Sequence, residues 1–179
     1  RASTVSLRRF VKSNIDLRIL AVQNFAKRWA VEDAALRDVW SDEATSLIND
    51  MDGLESIEWI REDDTLQWRV PEFVSGPSSI SLLRDYQDQV VSLSAFRNSP
   101  PVISDPTDLV ISGRGFLYVC PIRENGKHRG YIVAVFRYRE LFDSIFRDVS
   151  REFRIQVYQH PSNHIENVYE YIASGPINP

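Results

Sequence analysis

From Thr4 to Ile48 the chain contains neither proline nor glycine, so nothing in this stretch interrupts a regular backbone. The spacing of its apolar residues says which regular backbone. Val11, Ile15, Ile19, Val22, Ala26 and Trp29 recur at steps of three and four, which puts them on one face of an amphipathic helix. The stripe continues less regularly through Leu36, Val39, Trp40, Ala44 and Leu47. The pattern predicts one long helix, broken near Val31 to Asp33, and a shorter one after it. A helix this long exceeds the usual globular range, so its stripe either faces the chain's own core or forms a stalk against a second copy. The two roles are compatible.

Gly53 ends the helical region and the period changes. "LESIEWIRED" and "DTLQWRVP" read as two strands joined by an acidic turn at Asp63 and Asp64. "PEFVSGPSS" is loop by composition, Ser81 to Ser99 reads as a helix lined by Leu82, Leu83, Tyr86, Val90 and Leu93, and "NSPPVISDP" breaks it. "GFLYVCPI" and "GYIVAVFRY" are two more strands, with "RENGKHRG" as their turn. A short helix over Glu140 to Ser150 precedes a closing hairpin of "FRIQVYQH" and "NVYEYIAS", with "PSNHIE" at its tip. Hairpins separated by helices predict an α+β fold, with helices on one side of a mostly antiparallel sheet and a long leading helix.

Composition narrows the function. With 43% hydrophobic and 26% charged residues, the 179-residue chain can bury a core without a metal or disulfide staple. A net charge of −4 argues against nucleic acid as the partner, because phosphate binding leans on clustered lysine and arginine. Cys120 is the only cysteine, which excludes an internal disulfide and a multi-cysteine zinc site. No apolar run reaches the roughly 18 residues that a membrane-spanning helix needs. The chain starts with Arg1 rather than Met, as expected of a segment from a longer protein.

No catalytic constellation emerges. Gly113-Arg114-Gly115 lacks the third glycine and the following helix of a dinucleotide fingerprint, so its glycines are better read as easing a bend where a strand enters the sheet. His160 and His164 have helical zinc spacing, but Pro161 between them makes the segment a turn. His128 sits in a polar turn, and Cys120 lies in an apolar strand where a thiol is inert. Glu62, Asp63, Asp64 and Glu72 cluster around a hairpin, where acids are ordinarily solvated. What remains is a binding surface. Phe116, Tyr118 and Cys120 alternate onto one side of their strand, Tyr131, Val133, Val135 and Arg137 share a face of the next, and Trp59 and Trp68 lie on the earlier hairpin. An aromatic sheet face with a few polar tips lines a small-molecule pocket or is plain core.

Five short segments in order, "GLESIEWI", "TLQWRVP", "PPVISDPTDLVISGRGFLYVCPI", "GYIVAVFRYRELFDSIF" and "FRIQVYQH", resemble the CHASE family of extracytoplasmic sensor domains over nearly the whole chain. The resemblance implies a stalk helix followed by PAS-like sheet lobes, held outside the cytoplasmic membrane between two transmembrane helices. It also implies an output such as a histidine kinase, diguanylate cyclase or phosphodiesterase. The acid that grips an adenine-type ligand in the plant hormone receptors has no clear counterpart here; Asp85 and Asp88 are candidates, and Val119 replaces a small hydroxyl residue, so that recognition is not carried over.

These readings together predict a periplasmic ligand-sensing segment of an inner-membrane receptor, without catalysis or cofactor. Its expected units are a helical stalk over 1–50, a PAS-like ligand lobe over 51–149 and a membrane-proximal hairpin over 150–179. The expected pocket residues are Trp68, Arg114, Phe116, Tyr118, Tyr131 and Arg137, the arginines suiting an anionic ligand. A homodimer through the stalk is expected. The alternative is a protein-interaction or dimerisation module with no small-molecule ligand.

Overall fold

The computed structural model describes residues 2–30, 36–72, 99–109, 113–147, 154–159 and 166–172. The expected helix over Ser81 to Ser99 lies outside them except for Ser99, and the expected hairpin tip "PSNHIE" except for Glu166; Asp85, Asp88 and the expected break near Val31 to Asp33 also lie outside. Helix α1 spans Ala2–Trp29 and α2 spans Arg37–Asp50. Strands β1 (Leu54–Arg61) and β2 (Leu66–Val70) form the first hairpin, with Asp64 at φ 66° in its turn. β3 (Val102–Ile103) is a short strand inside the segment expected to be only a breaker, and β4 (Thr107–Asp108) is another just after it. They are followed by β5 (Arg114–Glu124), β6 (Lys127–Arg137), α3 (Tyr138–Phe146) and a separate hairpin, β7 (Arg154–Gln159) with β8 (Glu166–Ile172). The fold is α+β, as expected, and every strand pairing among the described residues is antiparallel.

The main sheet runs β2-β1-β6-β5-β3, with β4 also on β5. Its centre is the β5–β6 hairpin, closed by Asn125 and Gly126 at φ 50° and 79°. Positive φ at both positions makes the two-residue turn whose twist suits paired strands. The strands therefore run further into "RENGKHRG" than its polarity suggests.

One irregularity decides which side chains share a face. Near the turn Arg123 pairs with His128, but beyond it Ile122 pairs with Gly130, so β6 carries one extra residue. Gly130 takes φ 129°, and a Cβ there would lie 2.0 Å from the Ile60 carbonyl oxygen of β1. Because strand side chains alternate, this one-residue bulge moves all the rest of β6 to the opposite face from an unbroken ladder. Tyr118 thus pairs with Ala134, and Cys120 with Ile132.

The two faces differ. One carries Ile57, Trp59, Phe116, Tyr118, Cys120, Ile132, Ala134 and Phe136 and packs in one cluster with α1, α2 and α3. Val22, Phe25, Ala26 and Trp29 of α1, Trp40 and Ala44 of α2, and Leu141, Phe142, Ile145 and Phe146 of α3 are all buried there. The stripe predicted from periodicity is therefore core-facing. All four tryptophans join it: Trp40 lies 6.4 Å from Trp59 and 5.5 Å from Trp68, and Trp29 lies 6.4 Å from Trp59, centroid to centroid. These edge and tilted contacts tie α1 and α2 to the first hairpin. Among the described residues no helix is long and apolar enough to cross a membrane.

The bulge gives a direct test. Gly130→Ala combines a positive φ with a backbone collision and should cost roughly 3 kcal/mol or more in urea denaturation. Gly126→Ala, where a Cβ meets nothing within 4 Å, carries only the left-handed strain of about 1–2 kcal/mol. Equal losses would mean that the contact with Ile60 contributes nothing.

Candidate functional site

The opposite face of the sheet carries a second buried cluster, Ile60, Leu109, Leu117, Val119, Tyr131, Val133 and Val135, to which no residue of α1, α2 or α3 belongs. The buried polar residues among those described, Ser56, Glu58 and Thr107, fall on this same face. Their strand partners place them there: Ser56 pairs with Val135, Glu58 with Val133, and Thr107 with Gly115, two residues before Leu117. Apolar walls with a few fixed polar groups are the usual composition of a ligand pocket.

Glu58 is the most buried charged residue described, at 1% exposure. It pairs across the β1–β2 ladder with Arg69, whose Nε donates to Glu58 Oε1 at 2.7 Å. Desolvating both charges offsets much of their attraction, so a hydrophobic pair would serve folding as well. The row Arg69–Glu58–Val133–Val119 thus sets a dipole beside an apolar strip in the middle of this face. Next to it Tyr131 is fully buried, with the His128 ring 4.5 Å from its own. Thr107 is 5% exposed, and its Oγ1 has no hydrogen-bond partner among the described residues. An orphaned buried hydroxyl is uncommon enough to need a reason.

The six residues expected to line one pocket are divided by the sheet. Trp68, Phe116 and Tyr118 lie on the helix side: Trp68 stands 5.2 Å from Trp59, and Phe116 stacks on Phe136 at 5.0 Å. Tyr131 lies on the opposite side, which is helix-free among the described residues. Arg137 ends its row opposite Gly115, where its guanidinium forks onto Glu55, Nη2 to Oε1 at 2.7 Å and Nε to Oε2 at 3.3 Å. Its Nη1 reaches Glu140 at 2.8 Å. The bond to Glu55 is the main reason its pKa rises above the ordinary arginine value, burial opposing and Glu140 adding. Arg114 is half-exposed, 3.6 Å from Asp108. Gly113 takes φ 77° where its carbonyl accepts from Leu109, and a Cβ on Gly115 would lie 1.9 Å from the Phe136 oxygen. Gly-Arg-Gly therefore shapes a turn and a close strand approach. Glu58, Arg69, Ser56 and Thr107 were not singled out from sequence, because β1 also carries Glu55, Ser56 and Arg61 and nothing local sets Glu58 apart from them.

Burial has chemical consequences on the helix side. Tyr118 is 2% exposed, and its hydroxyl approaches Gln23 of α1 without a well-formed hydrogen bond. Burial pushes this phenol up to about 12 and the Cys120 thiol up to about 11. Both groups stay neutral in the folded chain at pH values where the unfolded chain ionises. Their contribution to stability is complete below the unfolded values of 9.0 for Cys120 and 10.0 for Tyr118, and is lost as pH rises towards the folded ones. Unfolding free energy measured from pH 8 to 11 should therefore fall with pH. Cys120→Ala should flatten the fall from about pH 9, and Tyr118→Phe from about pH 10. For the buried pair, Glu58→Gln should destabilise by about 3–5 kcal/mol, whereas Glu58→Leu with Arg69→Met should recover most of the loss.

No protein-family model matches the chain, and no curated protein matches it. Solved structures do. The ligand-binding domain of the Pseudomonas aeruginosa PAO1 amino acid chemoreceptor PctB, in complex with L-Gln, superposes with a TM-score of 0.65 at 14% identity, over 91% of this chain and 64% of that one. The domain of its chemoreceptor PctC, in complex with GABA, gives 0.59 at 13% identity, over 87% and 67%. The Pseudomonas fluorescens chemoreceptor CtaA, in complex with L-serine, gives 0.60 at 15% identity, over 88% and 68%. The chain thus spans just under two thirds of the PctB chain. At these identities the likeness establishes the architecture, which is that of chemoreceptor ligand-binding domains.

Proposed function

We propose that this chain is the ligand-sensing domain of a membrane receptor, and that it binds a small polar molecule on the sheet face opposite α1, α2 and α3. The observation that carries the reading is the gathering of Ser56, Glu58 and Thr107 on the one sheet face outside the helical core. The fold shared with chemoreceptor domains supports it, as do the ordered segments that resemble the CHASE family. The Glu58–Arg69 pair suits a ligand that carries both charges, its ammonium towards the carboxylate and its carboxylate towards the guanidinium. Amino acids and GABA, the molecules bound by the chemoreceptor domains, have that form. Of the six residues expected from sequence, Tyr131 stays in this pocket proposal and Arg137 at its rim. Trp68, Phe116 and Tyr118 become the packing that backs the sheet.

The rest of the receptor follows from the same reading. The domain is periplasmic, flanked by transmembrane helices, and drives a histidine kinase or cyclic-di-GMP enzyme; residues 1–50 form the stalk, 51–149 the sensing lobe and 150–179 the proximal hairpin. The stalk dimerises with a second copy through the side of α1 that faces away from the sheet. Val22 is fully buried against the chain's own sheet, but Phe10, Leu17 and Leu20 stand 48%, 63% and 48% exposed. Their steps of seven and three match the seam of a two-stranded coiled coil.

Thermal denaturation with L-glutamine, GABA, simple amines and simple carboxylates tests the pocket. A zwitterion should raise the melting temperature in a concentration-dependent way. Thr107→Val, which removes an unsatisfied hydroxyl, should leave stability equal or about 1 kcal/mol higher while weakening that ligand. Unchanged affinity in Thr107→Val and in Ser56→Ala would place the site elsewhere. For the stalk, Leu17→Cys should form a disulfide-linked dimer under mild oxidation, and Val22→Cys should not.

A further inference from the structure

Strand β6 ends at Arg137 and α3 begins at Tyr138, with no linker between them. β6 supplies Tyr131, Val133 and Val135 to the helix-free face. A displacement of β6 therefore moves α3 directly, because no loop is present to absorb it. The start of α3 is also clamped: Arg137 holds Glu55 of β1 and Glu140 of α3 together, and its backbone N–H donates to the Gly53 carbonyl at 2.8 Å. Gly53 packs so closely on Leu141 that a Cβ would lie 2.6 Å from its Cα.

The far half of α3 has two polar contacts leading in different directions. Ser144 donates its hydroxyl hydrogen to the Leu141 carbonyl at 2.9 Å, which leaves the oxygen to accept from Arg18 Nη2 of α1 at 3.0 Å. Arg18 is half-buried, and burial lowers its pKa from the ordinary arginine value against the opposing pull of Asp52. Its other donors reach the Asn14 carbonyl at 3.1 Å and the Asp52 carbonyl at 3.4 Å, so one side chain joins α1, the turn before β1, and α3. One residue away on α3, Asp143 accepts from the Tyr169 hydroxyl of β8 at 2.6 Å. The Tyr169 ring lies 5.2 Å from Phe142 and 5.8 Å from Phe146.

We propose that α3 is a lever that divides the state of the sheet face between two outputs, the stalk helix through Arg18–Ser144 and the C-terminal hairpin through Tyr169–Asp143. The joint at α1 is polar and directional, unlike the greasy contacts around it, so it transmits rotation of α3 where apolar packing would slide. The inference rests on the preceding reading only for what displaces β6; the coupling itself needs no ligand.

Hydrogen–deuterium exchange on the 179-residue chain tests it with Val133→Ala as the perturbation, a cavity made on the β6 side of the helix-free face. Beyond the acceleration shared by β1 and β5, amides over Asn14–Val22 and along β8 should exchange roughly threefold to tenfold faster, the size of coupling seen between connected sites. With Arg18→Met or Ser144→Ala added, the excess at α1 should vanish and that at β8 persist. With Tyr169→Phe added, the reverse should hold. No excess at either place, or an excess that survives these substitutions, overturns the lever. If the expected pattern appears while none of the ligands tested binds, the lever stands and the ligand reading fails.

Discussion

Both faces of the β5–β6 hairpin are apolar, so water must be kept from both, and most of the structure follows from how each is covered. On one side α1, α2 and α3 close over Phe116, Tyr118, Ala134 and Phe136, and the four tryptophans fill the wedge between the helices and the first hairpin. Each fully buried aromatic removes enough apolar surface from water to contribute on the order of 2 kcal/mol, and the cluster holds several. On the other side the apolar strip of Leu117, Val119, Val133 and Val135 is interrupted by Glu58 and flanked by Ser56 and Thr107. A face built only for stability would not bury a carboxylate.

Under the proposed reading the two sides divide the work of a sensor. On the helix side the rings interlock, and burial holds the Tyr118 phenol and the Cys120 thiol neutral. The other side has groups whose partners are imperfect or costly, which is where a ligand gains most from entering. A strand common to both faces couples them, since β6 cannot move its outward residues without moving its inward ones. The Arg137 clamp then makes α3 a continuation of that strand instead of an independent helix.

Most of the secondary structure could be read locally. Absence of glycine and proline with a 3.6-residue stripe predicted α1 and α2, and the stripe named the buried face correctly from Val22 through Trp29. Alternation predicted β1, β2, β5 and β6, and both terminal hairpin strands, β7 and β8, stand where expected. The two-residue strands β3 and β4 were missed because so short a segment has no period to detect; their pairing comes from β5. The buried pair was missed because Glu58 and Arg69 look like ordinary strand surface until β1 is known to lie inside the sheet, between β2 and β6.

By itself, then, the sequence determined the longer elements, the core-facing stripe of α1, the inert setting of Cys120 and the α+β class. All of these depend on neighbours within a few residues along the chain. The tertiary structure alone decided which residues of β5 and β6 look the same way. Alternation within a strand is a local property, but the relation between two strands hangs on register, and the single extra residue at Gly130 reverses it. That glycine is required by the carbonyl of Ile60 on a third strand, a contact no local pattern could contain. Tyr118 and Tyr131, grouped by their chemistry as one pocket, were thereby put on opposite faces of the sheet, one against the helices and one in the candidate ligand face.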